Sequence, residues 1–244
     1  MTTRFFGAKT KRLEDPALLT GRGQFTDDLH LPDMLHAAFA RSPHAHARIR
    51  GMDTAEARAM PGVHAVLSAA DLPESWREKR IPLEVPSPAI RYPLTQQALA
   101  VEEVCFVGEA VAVVVAETPR QAEDAAAAIV VDYEPLPAIS DCEAAFAPGA
   151  PKAHLDIEDN VGARFSLNYG DIEAAFGRAA HVIAETYHQH RGTGCPLEAR
   201  AVLAAYDRTT RSFTVWSATR APHGTKRAIA EMFGIGEQAV RAIA

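Results

Sequence analysis

Ala110-Val111-Ala112-Val113-Val114-Val115-Ala116, then Thr118-Pro119-Arg120-Gln121, then Ile129-Val130-Val131-Asp132-Tyr133, is the stretch that decides the fold. Seven consecutive small or β-branched apolar residues read as a strand buried on both faces. Thr118 can cap a helix, Pro119 suits its first position, and Gln121 stands in the capping-box place, so a helix is predicted from Pro119 to about Ala127. Ile129 to Tyr133 returns as a strand, which Glu134-Pro135-Leu136-Pro137 ends. Strand, capped helix and strand in so short a span make an α/β layer unit with helices packed on a sheet.

Toward the N-terminus the same signals recur. Met34 to Arg41 reads as a strand ended by Ser42-Pro43, because a residue before proline is driven to extended conformations. Asp53-Thr54 can cap a helix from Ala55 to Met60, stopped by Pro61-Gly62. Val63 to Leu67 is the next predicted strand, and Ser68 to Leu72 a short helical turn. Pro73, Pro82, Pro86, Pro88 and Pro93 make the segment from Trp76 to Tyr92 a loop, too apolar to stay fully solvated. Toward the C-terminus, the proline-, glycine- and acid-rich Pro148 to Asn160 reads as a connector. The expected organisation is therefore 1–147, a connector at 148–160, and a second domain over 161–244. In that second part Asp171 to Phe176 reads as a helix and His181 to Gln189 as a strand. Val202 to Tyr206 with Ser212 to Ser217 forms a hairpin, Pro222 to Phe233 an amphipathic helix with Gly234 as its stop, and Ala239 to Ile243 a last strand. No segment follows that strand to pair or cover it, so the chain reads as the front part of something larger.

Composition bounds the function. The charge of 25 basic against 31 acidic residues, −6 overall, gives no footprint for phosphate backbones or anionic membrane surfaces. Nucleic-acid and membrane partners are therefore not expected. An apolar content of 48% suits a folded chain with a real core. Cys105, Cys142 and Cys195 are odd in number and lie far apart, which argues for a reducing, cytoplasmic setting and against a thiolate-built cluster within this chain. No apolar run is long enough to span a bilayer.

Isolated chemical motifs are weak. His44 and His46 share a side if the chain is extended, but a metal site needs a third ligand and a carboxylate behind it, and neither lies nearby in sequence. A structural or hydrogen-bonding role is the simpler reading. His188, His190 and Cys195 are better stocked with ligands, yet the spacing is not one of zinc. Cys195 with either histidine as base would need an electropositive, partly exposed setting. Gly21-Arg22-Gly23 and Gly234-Ile235-Gly236 do not complete a phosphate-cradling spacing and read as turn glycines. Glu102 and Glu103, adjacent on an expected strand, point to opposite faces and do not form a carboxylate pair.

The order of the motifs is more specific than any one of them. Asp15-Pro16-Ala17-Leu18-Leu19-Thr20-Gly21-Arg22-Gly23-Gln24-Phe25, then Arg41-Ser42-Pro43-His44-Ala45-His46-Ala47, closely resembles the opening of the molybdopterin-binding large chains of the xanthine dehydrogenase, aldehyde oxidase and carbon monoxide dehydrogenase family. Val107-Gly108-Glu109-Ala110-Val111-Ala112 and Val131-Asp132-Tyr133-Glu134-Pro135-Leu136-Pro137 resemble that family's α/β hammerhead domain. Gly170-Asp171, Pro196-Leu197-Glu198-Ala199-Arg200 and Trp216-Ser217-Ala218-Thr219-Arg220-Ala221-Pro222-His223 resemble the start of its molybdenum-cofactor domain.

The resemblance implies an α+β fold, a hammerhead-type mixed sheet with packed helices followed by an incomplete second α/β domain. It implies a portion or split subunit of a molybdenum hydroxylase, acting on an aldehyde or N-heteroaromatic carbon or on carbon monoxide with oxygen derived from water. The molybdenum-pterin cofactor would belong to the complete assembly and not be bound by this chain alone. The implied partners are the remaining molybdenum-domain chain and iron–sulfur and FAD subunits, in a hetero-oligomer. The family's glycine-rich loop beside the cofactor would follow the segment matching Val240 to Ala244, with its general-base glutamate further on, so no catalytic residue is expected here and the chain is not expected to act alone. Arg220 stands where the family pattern has a glutamine whose amide contacts the molybdenum ligands. An arginine cannot accept a hydrogen bond and carries a fixed charge. That departure motivates an alternative, a non-catalytic assembly or binding module on a hammerhead scaffold.

Overall fold

The computed structural model describes residues 7–83, 86–190 and 192–244. Met1 to Phe6 of the N-terminal stretch, Glu84 and Val85 of the proline-rich loop, and Arg191 lie outside the described residues. The helices are α1 (Asp15–Leu19), α2 (Ala55–Ala59), α3 (Glu74–Glu78), α4 (Pro119–Ala127), α5 (Ile172–Arg178) and α6 (Pro222–Phe233). The strands are β1 (His36–Arg41), β2 (Ala47–Asp53), β3 (Val63–Ser68), β4 (Glu103–Val104), β5 (Ala110–Ala116), β6 (Val130–Pro135), β7 (Val202–Asp207), β8 (Ser212–Ser217) and β9 (Val240–Ile243). Two compact units are present, Asp33–Gly192 and Met1–Pro32 with Thr193–Ala244.

In the unit Asp33–Gly192, β5 is the middle strand of an antiparallel sheet in the order β1-β5-β3, and β2 is the middle strand of a second, β4-β2-β6. The valine run is central because β5 serves both cores. Val114 is fully buried with Ala57 of α2, Val66 of β3 and Ala125 of α4. Val111, three residues earlier and so on the opposite face, is buried with Ala47, Ala100 and Val104. Each fully buried valine contributes about 1.5–3 kcal/mol of transfer free energy. On α4, Ala122 and Ala125 are completely covered, small enough to let the helix lie close to the strands. The Thr118 side chain accepts the Gln121 N–H as a cap, while Gln121 turns its amide away, accepting the Thr118 hydroxyl at 2.8 Å and donating to the Pro61 carbonyl at 3.3 Å. Strand, helix and strand do follow one another as the sequence indicates, but α4 carries the chain from the first sheet into the second.

Gly62 occupies the left-handed region, with φ of 77°, at the turn between α2 and β3. A Cβ there would also run into the Gln121 side chain. Gly62→Ala is expected to destabilise the chain by about 1–2 kcal/mol, read as a lower urea midpoint at unchanged slope; an unaltered midpoint would refute this account of the turn.

In the unit Met1–Pro32 with Thr193–Ala244, β8 pairs with β7 antiparallel and with β9 parallel. Phe213 of β8 stacks on Tyr206 of β7 at 4.7 Å and on Phe233 of α6 at 4.8 Å, and Val215, Ala230 and Val240 are buried. Gly234 takes the left-handed conformation and closes α6 by donating to the Ala230 and Glu231 carbonyls. Thr26 donates both its N–H (2.9 Å) and its hydroxyl (3.0 Å) to Glu198 Oε1, which joins the two sequence-distant parts of this unit.

Three local readings differ. β2 was not expected: its alternation is broken at Gly51, where the pairing with β6 shifts register. α3 forms a turn of helix at the start of the proline-rich segment read as loop. His181 to Gln189, expected as a strand, is irregular and exposed. A strand is a paired structure, and no neighbouring strand is present for it among the described residues. Around it Phe165, Leu167, Tyr169, Ile183 and Tyr187 are exposed, Tyr169 by 94% and Tyr187 by 85%.

Candidate functional site

Among the described residues, ionisable groups converge in the unit Asp33–Gly192, where the second sheet meets His154 and Leu155. Ser42-Pro43 ends β1, and the short crossing into β2 places His46 just before the first paired residue. There its carbonyl accepts the Leu136 N–H at 3.0 Å and its Nδ1 meets the Pro137 carbonyl at 3.1 Å. Pairing of Arg48 with Glu103 and Ala47 with Val104 sets β4 beside it. The His46 Nε2 then stands 3.0 Å from Glu103 Oε2, with side-chain exposures of only 6% and 12%. The stretch after residue 150 supplies the Leu155 N–H, 3.1 Å from both Glu103 oxygens, and His154, whose Nδ1 lies 3.6 Å from Glu103 Oε1 and 3.1 Å from Cys105 Sγ. Glu109 closes the far side by accepting the Cys105 N–H at 2.6 Å. Among the described residues two groups of three could each hold an ion, His46 with Glu103 and Cys105, and Glu103 with His154 and Asp156.

The charges in this cluster are set by competing terms. Burial pushes Glu103 upward, but the approach of His154 and His46 and the Leu155 N–H outweigh it and bring its pKa down to about 2. Burial, with Glu103 and Glu109 adding to it, raises the Cys105 thiol, so Cys105 is held protonated and is no poised nucleophile. Burial also raises Glu109, against the Cys105 N–H. For a carboxylate whose folded value is depressed, the native state binds its proton less readily than the unfolded chain does. The stability Glu103 contributes is thus fully present above its usual value near 4.5 and is lost as pH falls toward 2. Chemical denaturation is expected to show a falling midpoint between pH 5 and about pH 3, and Glu103→Gln flattens that limb. An equally steep limb in the variant would assign it to other carboxylates.

The remaining sequence candidates are placed as follows. His44 does not share the His46 partners; its ring meets Tyr133 edge-on at 5.0 Å. Glu102 is exposed while Glu103 turns inward, as expected for neighbours on a strand. His188, His190 and Cys195 are exposed, and neither ion-holding group includes them. Gly21 and Gly234 are turn glycines with positive φ. What the sequence missed is the cluster around Glu103, in which His46 lies 57 positions from Glu103 and His154 lies 49 positions from Cys105, separations that carry no spacing signal.

Arg220 sits in the other unit, in the loop from β8 to α6. Thr219 Oγ1 braces that loop by accepting the Ala221 N–H at 3.1 Å and the Thr225 hydroxyl at 3.4 Å. Arg220 itself is exposed.

Residues 20–137 match the family model described as the aldehyde oxidase and xanthine dehydrogenase a/b hammerhead domain, and residues 153–244 match the molybdopterin cofactor-binding domain. The nicotine 6-hydroxylase large subunit of Paenarthrobacter nicotinovorans is 38% identical over 97% of this chain and 29% of its own length. The carbon monoxide dehydrogenase large chain of Afipia carboxidovorans is 38% identical over 98% of this chain and 30% of its own. The fold matches the crystal structure of quinoline 2-oxidoreductase from Pseudomonas putida 86 with a TM-score of 0.82 at 37% identity, over 97% of this chain and 30% of that one.

The chain belongs to the xanthine dehydrogenase, aldehyde oxidase and carbon monoxide dehydrogenase family. It spans about 30% of the length of the curated relatives it matches. Those relatives are large subunits of molybdenum-dependent oxidoreductases, and a further relative, 36% identical, is the 6-hydroxypseudooxynicotine dehydrogenase complex subunit gamma of Paenarthrobacter nicotinovorans. The α+β architecture of small sheets with packed helices is that of the family's hammerhead domain. No helix among the described residues is long and apolar enough to cross a membrane.

Proposed function

We propose that this chain supplies the hammerhead region and the first part of the cofactor-binding region of a molybdenum hydroxylase large subunit. The observation that carries this reading is the unbroken likeness, over 97–98% of the chain, to large subunits of such enzymes. In this reading 148–160 connects the hammerhead region to the cofactor-binding portion from 161 onward. The substrate is an aldehyde, an N-heteroaromatic compound or carbon monoxide. The partners are the remaining molybdenum-domain polypeptide and iron–sulfur and FAD subunits, within a cytoplasmic hetero-oligomer.

In this reading Arg220 is the residue that this chain offers to the cofactor. Arg220 is exposed beside the first turn of α6, and a fixed positive charge next to free helix amides favours an anionic group. Arg220 would hold such a group by donation alone, since it has no acceptor. When bound, the molybdenum group supplies the transfer of water-derived oxygen and takes up the substrate's electrons. The exposed apolar side chains between Phe165 and Tyr187 support a further polypeptide covering that segment.

The test is co-production with the candidate partner chains in a molybdenum-sufficient host. Co-purification with a second polypeptide and with molybdenum is expected. A well-behaved monomer that gains neither partner nor activity would overturn the reading. That Arg220 offers no acceptor where the family pattern has a glutamine motivates a second reading, a non-catalytic module. Arg220→Gln in the reconstituted complex separates the two: increased turnover supports a tuned enzyme, and unchanged turnover supports the scaffold.

A further inference from the structure

We infer that His46, Glu103 and Cys105 form a binding site for a thiophilic divalent cation, with the chemistry of Zn2+, in the unit Asp33–Gly192. Three different donor atoms, an imidazole nitrogen, a carboxylate oxygen and a sulfur, lie within 4.8 Å of one another. Nitrogen, oxygen and sulfur together are the donor set that a borderline-soft ion accepts. Two ligands of a tetrahedral zinc, each about 2.1 Å from the ion, stand roughly 3.4 Å apart, and His46 Nε2 is 3.0 Å from Glu103 Oε2.

The surroundings are those of a supported ligand set. The Pro137 carbonyl, 3.1 Å from Nδ1, holds the His46 ring with Nε2 directed at Glu103. A proton between Nε2 and Glu103 makes the 3.0 Å contact in the absence of an ion, and a cation bound here takes that proton's place. A ring nitrogen backed by a carbonyl in this way is the usual partner arrangement of metal-bound histidine. His154 Nδ1, 3.1 Å from Cys105 Sγ, can donate to the sulfur, and the Leu155 N–H fixes the Glu103 carboxylate. There is also an approach for an ion. A cleft of about 370 Å3 lined by Arg77, Arg80, Val101, Leu155 and Asp156 reaches Glu103, and Asp156 joins His154 and Glu103 in the second ion-holding group beside it. The larger groove, about 540 Å3, carries the carboxylate of Glu123 and no cysteine or histidine.

Binding displaces the proton that His46 Nε2 shares with Glu103 as well as the Cys105 thiol proton. The Cys105 thiol loses its proton to solvent, a metal–sulfur bond forms, and no electron moves. The inference does not depend on the molybdenum reading.

The experiment treats the full 244-residue chain with chelator, then titrates it with Co2+ and Zn2+ alone. One equivalent of Co2+ is expected, with a thiolate-to-cobalt charge-transfer band and the visible absorption of a tetrahedral site, and Zn2+ is expected to raise the melting temperature. The conservative Cys105→Ser abolishes the charge-transfer band, and affinity falls at least tenfold. His46→Gln also lowers affinity, while the double change of Cys142 and Cys195 to serine leaves band and affinity intact. A chain that shows no charge-transfer band, a band that survives Cys105→Ser, or a band that follows Cys142 or Cys195 overturns the inference.

Discussion

Replacing Glu103 by alanine is expected to lower the unfolding free energy at neutral pH by about 3–5 kcal/mol, a large part of a typical domain's stability. The carboxylate accepts from the Leu155 N–H and faces His46 and His154, all partly or fully withdrawn from water. Its removal strands each of those groups, and the penalty is for unmet partners more than for the lost attraction. Glu103→Gln keeps an acceptor and a similar volume and should cost about half as much. Both follow from urea denaturation at pH 7, where equal midpoints for the alanine variant and the parent chain would show that the cluster is solvated and energetically idle. The comparison also bears on zinc. If the ion occupies the site, the difference between parent and variant grows with added Zn2+ in proportion to the logarithm of its concentration.

Limited proteolysis of the isolated chain is expected to cut first between Ala163 and His190, about tenfold or more faster than anywhere in β1 to β6. That segment carries one short helix, α5, and otherwise exposed, irregular backbone. Its apolar side chains Phe165, Leu167 and Tyr169 recur at alternate positions, which is the pattern of a strand that buries one face. Joining the partner polypeptide proposed above should protect the segment, as read by mass spectrometry of the fragments. First cleavage inside the sheets instead, or no protection in the complex, would contradict the idea that the segment awaits a partner surface.

Much of the fold was legible because its signals are local. The β5 run, the Thr118 cap, the αL glycine after α6 and the β7–β8 hairpin all depend on residues within a few positions of one another, and each stands where the sequence puts it. β2 was hidden because its bulge at Gly51 breaks the alternation on which a strand is recognised. His181 to Gln189 failed for the opposite reason. Its pattern is that of a strand, but pairing requires a neighbour, and the described residues provide none.

By itself the sequence determined the α+β character, the valine strand at the centre, the turns and, through the order of its motifs, the family. Those follow from short-range sterics, side-chain periodicity and the succession of residues along one chain. Only the tertiary structure decided that β5 serves two cores, that Thr26 is tied to Glu198, and that His46, Glu103, Cys105 and His154 converge. The convergence is invisible in one dimension because pairing of β2 with β4 and the return of the chain at His154 and Leu155 bring together residues about fifty positions apart. Hydrogen bonds to a buried carboxylate act over about 3 Å in space whatever the separation along the chain.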